Sequence, residues 1–253
     1  MFEKNDVRVA AFDAPSPQEF ERMYAGTFGP DLNYKRQVED RFILVGGGRL
    51  TFRKGEMLHF DPGWLDRERK LIRIPPHQDC NCSYCQQRAE DFAEYHDDVD
   101  VEEALGMAWS PKTPSSVRAI PYGWSELTIG IVEEFADKVG TLDYDQSTIN
   151  RRVKDMAERV GIDREEIYPH ALRAASGLFH AGMGVEAHFL MAIMGWNDID
   201  VARSYLQIEG TQLANRIERA MAQERIERPD YVPPADLVPP LEDVVDRAEE
   251  QRF

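Results

Sequence analysis

The sequence is poor in positive charge and has no long apolar run. Its 253 residues include 30 Lys and Arg against 46 Asp and Glu, for a net charge of −16, and only 7 of the cations are lysines. The first 12 residues lack the apolar core of a secretory signal, and no stretch approaches the length of a membrane-spanning helix. These absences predict a cytoplasmic protein without a membrane partner, in which the three cysteines stay reduced.

Four side chains between residues 168 and 207 have the chemistry needed to cleave a phosphodiester. His170 and Arg173 fall on one predicted helical turn. Trp196 lies 23 positions after Arg173, and Tyr205 lies nine positions after Trp196. A tyrosine hydroxyl can attack phosphorus, whereas an imidazole, a guanidinium and an indole N–H can bind the oxygens on which charge develops. The alternative is an ordinary helical bundle in which these residues share no role.

This stretch resembles the tyrosine site-specific recombinases, the phage integrase family. Their signature is His-x-x-Arg, then a Leu-Gly-His/Trp step, then the tyrosine nucleophile, and here it reads HALR, MGW and RSYLQ. The resemblance implies that Tyr205 forms a 3′-phosphotyrosine bond while His170, Arg173 and Trp196 hold the phosphoryl oxygens. It also implies double-stranded DNA as the partner, self-association on that DNA, and catalysis without a nucleotide, cofactor or metal.

The family also places a first arginine upstream, in an Arg-x-x-Glu pattern that precedes a short strand. Residues 51–66, TFRKGEMLHFDPGWLD, fit this pattern with Arg53 and Glu56. The resemblance implies that Arg53 is a second guanidinium on the scissile phosphate, and Glu56, one helical turn on, could hold it in place. Arg49 is the competing assignment, but no glutamate follows it at the third position.

A catalytic lysine is expected at residues 110–121, SPKTPSSVRAIP. This segment resembles the family's Lys-x-x-x-Ser-x-Arg-x-Val/Ile-Pro β-hairpin. Lys112 is then the expected general acid, which protonates the 5′-hydroxyl leaving group. The other interpretation of Lys112 is an ordinary surface lysine of a hairpin.

The negative charge conflicts with the basic surface expected of a DNA-binding protein. The acids are concentrated outside the motifs: residues 86–103 contain eight acids and one arginine, and residues 229–253 contain seven acids and two arginines. A hydrated acidic surface maintains solubility in high salt. The sequence therefore predicts a halophilic, haloarchaeal-like protein with arginines at one active face, or else a protein that does not bind DNA.

All three cysteines lie in an insertion between Arg53 and Lys112, which are 59 positions apart. The insertion supplies an imidazole and three thiols, at His77, Cys80, Cys82 and Cys85. Three thiolates and an imidazole suit tetrahedral zinc, which would be structural because no coordination position stays open. His59 and His96 are alternative fourth ligands, and free thiols or a redox pair are the other interpretations.

The pattern of apolar and turn residues predicts the α+β class, mainly α, with a small three-stranded antiparallel sheet, as in the catalytic domain of the family. Ser16 is the predicted N-cap of the first helix, with Glu19 completing a capping box. Strands are predicted at 70–74, before residue 110, and at VRAIP, residues 117–121. Helices are predicted at 17–24, 34–46, 52–60, 124–139, 146–160, 170–182, 185–194, 198–205 and 210–227, with partial helix in 86–106.

The sequence is expected to divide into an N-terminal lead (1–15), a catalytic domain (16–228) with an insertion at 75–108, and an acidic, Pro-rich tail (229–253). His180 and His188 lie among apolar neighbours and receive no role. Too few residues precede Arg53 for the core-binding domain of the family, so we expect a minimal or truncated integrase.

The sequence thus predicts a site-specific DNA recombinase or integrase. Two alternatives stay open: DNA relaxation of the type IB topoisomerase kind, and an integrase remnant that binds DNA without recombination. Every catalytic position is filled, which disfavours a remnant, whereas the short segment before Arg53 favours one.

Overall fold

The computed structural model describes residues 13–80, 82–96, 98–106 and 109–207. The predicted helix at 210–227, the predicted tail at 229–253 and most of the predicted lead at 1–15 lie outside the described residues. The α-helices of the described part are α1 (Pro17–Gly26), α2 (Tyr34–Gly48), α3 (Lys54–Leu58), α4 (Ser83–Tyr95), α5 (Val101–Gly106), α6 (Glu126–Lys138), α7 (Gln146–Arg159), α8 (Pro169–Gly182), α9 (Ala187–Met194) and α10 (Ile199–Gln207). None of the helices described is both long and apolar enough to cross a membrane.

The strands form one small antiparallel sheet in the order β1-β2-β3, which confirms the predicted fold class. They are β1 (Leu65–Asp66), β2 (Leu71–Ile74) and β3 (Arg118–Pro121), with 3₁₀ turns at Pro62–Trp64 and Pro114–Ser116. Ile72 pairs with Leu65 on one side and with Ile120 on the other. The connection from β2 to β3 leaves the sheet and contains α4 and α5, so the predicted partial helix of the insertion is confirmed.

Helix α2 runs through the centre of the core. Its residues from Val38 onward are all buried, and Phe42 stacks on Phe135 of α6 with ring centroids 3.8 Å apart. Its last turn is Gly46–Gly48, and a Cβ on Gly48 would come within 2.2 Å of the Phe20 ring. These glycines therefore let α1 and α8 pack closely on the end of α2.

A buried ion pair network joins α7 to α2. The Arg152 guanidinium is 1% exposed and donates to Glu39 Oε2 at 2.6 Å and to Asp40 Oδ1 at 2.7 Å. Buried charges persist only when they are paired and hydrogen-bonded. The network thus holds α7 against α2, and α7 also packs on α3.

The predicted ends of helices and strands are confirmed where they depend only on residues that are adjacent in sequence. Ser16 caps α1, and Glu19 completes the capping box as predicted. The helix predicted at 52–60 is shorter in the structure. Arg53 has an extended backbone and is the N-cap, so the helix, α3, contains only the five residues Lys54–Leu58. The strand predicted before residue 110 is an isolated bridge between Trp109 and Gln78, since Pro111 follows and lacks the N–H that a ladder needs.

Candidate active site

A cavity of about 370 Å³ lies where α3, α7 and α8 begin or pass close to one another. Its lining contains cations and polar groups but no carboxylate: Arg53, Lys54, Asn150, Lys154, Tyr168, Pro169, His170 and Arg173. Pro169 is the first residue of α8, where its missing N–H costs nothing; His170 follows in that first turn, and Arg173 lies at the start of the next. We call this space the cationic cavity.

Arg53 reaches the cationic cavity from the N-cap position of α3. Its Nη1 donates to Glu56 Oε1 at 3.1 Å and to Ser116 Oγ at 2.7 Å, and its Nη2 donates to the Gly195 carbonyl at 2.8 Å. Gly195 has a φ of +60°, and a Cβ there would lie 3.2 Å from Arg53 Nη1. The glycine of the MGW motif is therefore required for this close approach. Three of the five guanidinium N–H groups are used in these bonds.

Arg173 is buried beneath the cavity, with 4% of its surface exposed. It donates to the carbonyl oxygens of Thr51 and Met194, which uses two of its five N–H groups. Burial, together with the neighbouring cations Arg53 and Arg118, lowers the pKa of Arg173. Thr51 has a φ of +60°, a costly conformation for a β-branched residue. Its carbonyl accepts from both Arg173 and Arg118.

Arg118 of β3 is a part of the site to which the sequence analysis gave no role. All five of its N–H groups are used, by both carboxylate oxygens of Glu56 at 2.8 and 2.9 Å and by the carbonyls of Ile193, Ser116 and Thr51. Burial alone would raise the pKa of Glu56, but Arg118, the charge of Arg173 and the backbone N–H of Arg53 together hold that pKa below its ordinary value. The arginine of the Lys-x-x-x-Ser-x-Arg pattern was the sequence signal for this residue.

Arg49, the competing first arginine, faces a different surface. Its guanidinium lies over the ring of Phe20 at 3.7 Å and over the ring of Phe179 at 4.3 Å. Burial lowers its pKa to about 10. Because Arg49 is absent from the lining of the cationic cavity, the geometry favours Arg53.

His170 lines the cavity, and Lys112 is near enough for its charge to act on the imidazole. Both are exposed. Partial desolvation and the cations Arg173, Arg53 and Lys112 lower the pKa of His170, so its imidazole is neutral at pH 7. Lys112 is not on a hairpin strand; it lies in a bend just before the 3₁₀ turn that leads into β3.

Tyr205 is buried beside the cavity rather than in its lining. The side chain, on α10, is 7% exposed, and its ring centroid is 4.8 Å from that of the half-buried Trp196. A Cβ on Gly177 of α8 would lie 2.8 Å from Tyr205 Cε1, so the ring packs directly on the backbone of α8. Burial raises the pKa of Tyr205, while the charge of Arg173 lowers it in part.

A second group of side chains lies at the far end of α3. His59 Nε2 is 3.3 Å from Cys85 Sγ and 3.6 Å from Cys82 Sγ. With Cys80, these residues offer four ligand atoms that all lie within 4.8 Å of one another. We call them the Cys₃His cluster.

The predicted fourth ligand, His77, was wrong, because that side chain is exposed and outside the cluster. His59, one of the two alternatives, takes its place. His59 directly follows α3 and precedes Cys80 by 21 positions in the sequence, and the fold brings the two side chains together. His96, the other alternative, stacks on Phe92 with ring centroids 4.1 Å apart.

Comparisons with family models and with curated proteins find no match. Among solved structures, the chain is similar to the crystal structure of XerA recombinase, with a TM-score of 0.53 and 15% identity over 86% of this chain and 64% of that one. It is also similar to the Tn1549 transposon integrase in complex with transposon right end DNA (TM-score 0.53, 18% identity, 83% of this chain, 66% of that one). The complex of that integrase with circular intermediate DNA gives a TM-score of 0.53 and 19% identity over 82% of this chain and 66% of the other. The fold is therefore that of tyrosine recombinase catalytic domains, and the chain spans slightly less than two thirds of the length of these structures.

Proposed function

We propose that the chain is a DNA strand transferase of the tyrosine recombinase type. The Tyr205 oxygen attacks the scissile phosphorus, a 3′-phosphotyrosine bond forms, and the bond from phosphorus to the 5′ oxygen breaks. Lys112 gives its proton to the departing 5′ oxygen. The 5′-hydroxyl of a partner strand then attacks the phosphotyrosine, which forms a new phosphodiester and releases Tyr205. Each step exchanges one phosphate ester for another, so no nucleotide needs to be hydrolysed.

The observation that carries this proposal is the positive charge at the cationic cavity that no carboxylate neutralises. Arg53, Arg118 and Arg173 surround the single carboxylate of Glu56, so the group carries a net charge of 3 − 1 = +2. Among the described residues, two N–H groups of Arg53 and three of Arg173 have no protein partner. A phosphodiester in the cavity would accept these bonds and compensate the charge.

The same groups would stabilise the transition state more than the ground state. Charge on the non-bridging oxygens grows as phosphorus becomes five-coordinate, and donors fixed in advance respond without reorganising. Arg118 has no donor left for a phosphate, so we assign it the role of positioning Glu56 and Thr51, which in turn hold Arg53 and Arg173. The neutral imidazole of His170 has one N–H that can donate to a phosphoryl oxygen and one free nitrogen that can accept the tyrosine proton, which would convert it to imidazolium beside the phosphate.

Attack by Tyr205 requires its hydroxyl to reach the phosphate in the cationic cavity. The ring is now packed on Gly177 and Trp196 and does not line that cavity. We therefore propose that DNA binding is accompanied by a shift of α10 relative to α8. A short helix at the end of the described region can move without disrupting the main core, since Tyr205 belongs to a small separate apolar cluster.

The net charge of −16 disfavours a broad DNA-binding surface, so the DNA contacts should be few. We propose a protein of a high-salt interior whose DNA contacts are confined to the cationic cavity and the lysines beside it, Lys54, Lys112 and Lys154. A small number of phosphate contacts gives a shallow loss of affinity with salt. Self-association on DNA belongs to the same proposal, because strand exchange needs two cleaved duplexes.

Covalent trapping tests the proposed function without knowledge of the target site. The substrate is a pool of duplexes with random sequence, each nicked a few nucleotides beyond the central position. Cleavage near the centre then releases a short fragment with a free 5′-hydroxyl, which diffuses away and cannot reverse the reaction. Wild-type protein should form adducts that survive detergent and heat, and sequencing the bound DNA would reveal the preferred site. Tyr205→Phe should form none, while Tyr95→Phe, the same change at an 81% exposed position, should behave as wild type.

Other outcomes would select among the alternatives. DNA binding without adducts from either protein would indicate a remnant that does not cut. Relaxation of supercoiled plasmid without strand exchange would indicate activity of the topoisomerase kind.

A further inference from the structure

We propose that the Cys₃His cluster holds a structural zinc ion, and that this ion positions Arg53 and Lys112. Zinc binding itself follows from the geometry of the cluster. The positioning role rests on the proposed function, and the two parts are tested by separate measurements.

The spacing of the four ligand atoms fits one tetrahedral ion. Zn–S bonds of about 2.3 Å and Zn–N bonds of about 2.0 Å place neighbouring ligand atoms about 3.5 to 3.8 Å apart in a tetrahedron. His59 Nε2 lies 3.3 Å from Cys85 Sγ and 3.6 Å from Cys82 Sγ, and all four atoms lie within 4.8 Å of one another. Small side-chain rotations are therefore enough to complete the coordination.

The tautomer of His59 is set for metal binding. Its Nδ1 lies 2.7 Å from the Gly55 carbonyl, which can only accept a hydrogen bond, so Nδ1 carries the proton. The lone pair is then on Nε2, the atom that faces the two thiols. An N–H···O=C bond from the second ring nitrogen is the usual support of a histidine that binds zinc.

The insertion needs such an anchor, because it has little apolar surface of its own to bury. In the 13 residues of α4, only Cys85 and Ala89 are buried. The exposed apolar side chains of this segment include Tyr84, Phe92 and Tyr95. A metal ion that binds only the folded arrangement stabilises it by its binding free energy.

The cluster is also joined to both catalytic segments. Helix α3 begins after Arg53 and is followed by His59, whose backbone N–H donates to Gly55 at 3.1 Å. The His59 ring stacks on Trp109 with centroids 5.0 Å apart, and Trp109 is bridged to Gln78. Lys112 follows Trp109 by three residues. A metal that fixes His59 therefore limits the movement of the segments that carry both cations.

Metal content provides the first test, on full-length protein purified without a metal-binding tag. Elemental analysis should find about one zinc per chain, and cobalt exchanged into the site should give the intense absorption of tetrahedral thiolate coordination. Cys80→Ser, Cys82→Ser and Cys85→Ser should each weaken zinc binding by more than about tenfold. His59→Cys, which retains four ligands, should keep the metal.

Matched controls distinguish the three candidate histidines, His59, His77 and His96. His77→Ala and His96→Ala change exposed imidazoles outside the cluster and should leave the zinc content unchanged. Loss of zinc from His77→Ala would overturn the assignment of His59. Wild-type protein that contains no zinc, takes up no cobalt and has three freely titrating thiols would overturn the site altogether.

The positioning role is tested with a substrate whose leaving group needs no proton. A duplex with sulfur in place of the bridging 5′ oxygen expels a thiolate, which leaves without a general acid. If zinc positions Lys112, then Cys80→Ser should slow cleavage of the oxygen substrate by more than about tenfold and of the sulfur substrate by much less. A loss common to both substrates is the part expected from displaced Arg53, which acts on the phosphate that they share. Absence of any further loss on the oxygen substrate would overturn the positioning of Lys112 while leaving zinc binding intact, and failure of wild type on both substrates would count against the proposed function alone.

Discussion

Replacing Arg118 with methionine should destabilise the protein strongly, because it removes a bidentate partner of the buried Glu56 carboxylate. The guanidinium is 5% exposed, Glu56 is 2% exposed, and all five N–H groups of Arg118 are used. Methionine fills much of the volume but leaves Glu56 with Arg53 as its partner. Breaking a buried ion pair by removing one partner costs about 3 to 5 kcal/mol, and the remaining arginine places the expected loss near the low end, about 3 kcal/mol.

The pH dependence of this loss follows from the pKa of Glu56. In wild type that pKa is held below its ordinary value, so its stabilising contribution is present above the unfolded-state pKa, about 4.3, and is lost as the pH falls through the folded-state pKa. Without Arg118, burial dominates and the carboxyl binds a proton at a higher pH. The difference in the free energy of unfolding between wild type and Arg118→Met should therefore narrow as the pH is lowered from 7 toward 4.

Urea denaturation at a series of pH values, in the salt concentration where wild type is most stable, measures this difference. Arg69→Met is the matched control, since Arg69 is 71% exposed and its ion pair with Asp66 is loose, at 3.8 Å. It should change the free energy of unfolding far less. A loss below about 1 kcal/mol for Arg118→Met at pH 7, or a loss that does not vary with pH, would refute the buried-pair account.

Three further predictions follow from the same contacts. Gly177→Ala places a methyl group 2.8 Å from Tyr205 Cε1 and should cost about 1 to 3 kcal/mol in thermal or urea unfolding, whereas Gly130→Ala, with no atom within 4 Å, should stabilise α6 by about 0.5 to 1 kcal/mol. Arg53→Ala should lower the cleavage rate by about 10²- to 10³-fold in single-turnover assays, while Arg49→Ala should leave it nearly unchanged; the reverse order would show that the first arginine is misassigned. Thermal melting and cleavage across a potassium chloride series should both have their optimum at high salt, although DNA affinity falls as salt rises, and a protein most stable and most active in dilute buffer would contradict the halophilic interpretation.

The features that could be predicted from the sequence are those that depend on local residue patterns or on motif spacing. The capping box at Ser16, the class of the fold and the convergence of His170 with Arg173 each depend on residues a few positions apart or on a motif of matched spacing. The choice of Arg53 over Arg49 came from a glutamate three positions on, and the structure shows why that glutamate matters: Glu56 bonds to the side chain that it follows.

The remaining features depend on tertiary contacts that spacing does not encode. His59 reaches the cysteines because α3 ends beside the insertion, whereas the nearer His77 points to solvent. Arg118 satisfies Glu56 from 62 positions away, so no local pattern identifies its partner. Tyr205 is buried because its ring packs on Gly177 of α8, which has no side chain to prevent the contact. The motif specifies a tyrosine at this position but does not specify how its ring packs.

The most direct measurement of the central claim is the identity of the residue that carries the DNA in a trapped adduct. After nuclease digestion of the DNA and trypsin digestion of the protein, tandem mass spectrometry should find a phosphodeoxynucleotide on the peptide that begins at Ser204, with the added mass on Tyr205. The account predicts this adduct in wild type and its absence in Tyr205→Phe. An adduct on any other residue, or cleavage of DNA with no protein-bound intermediate, would contradict it.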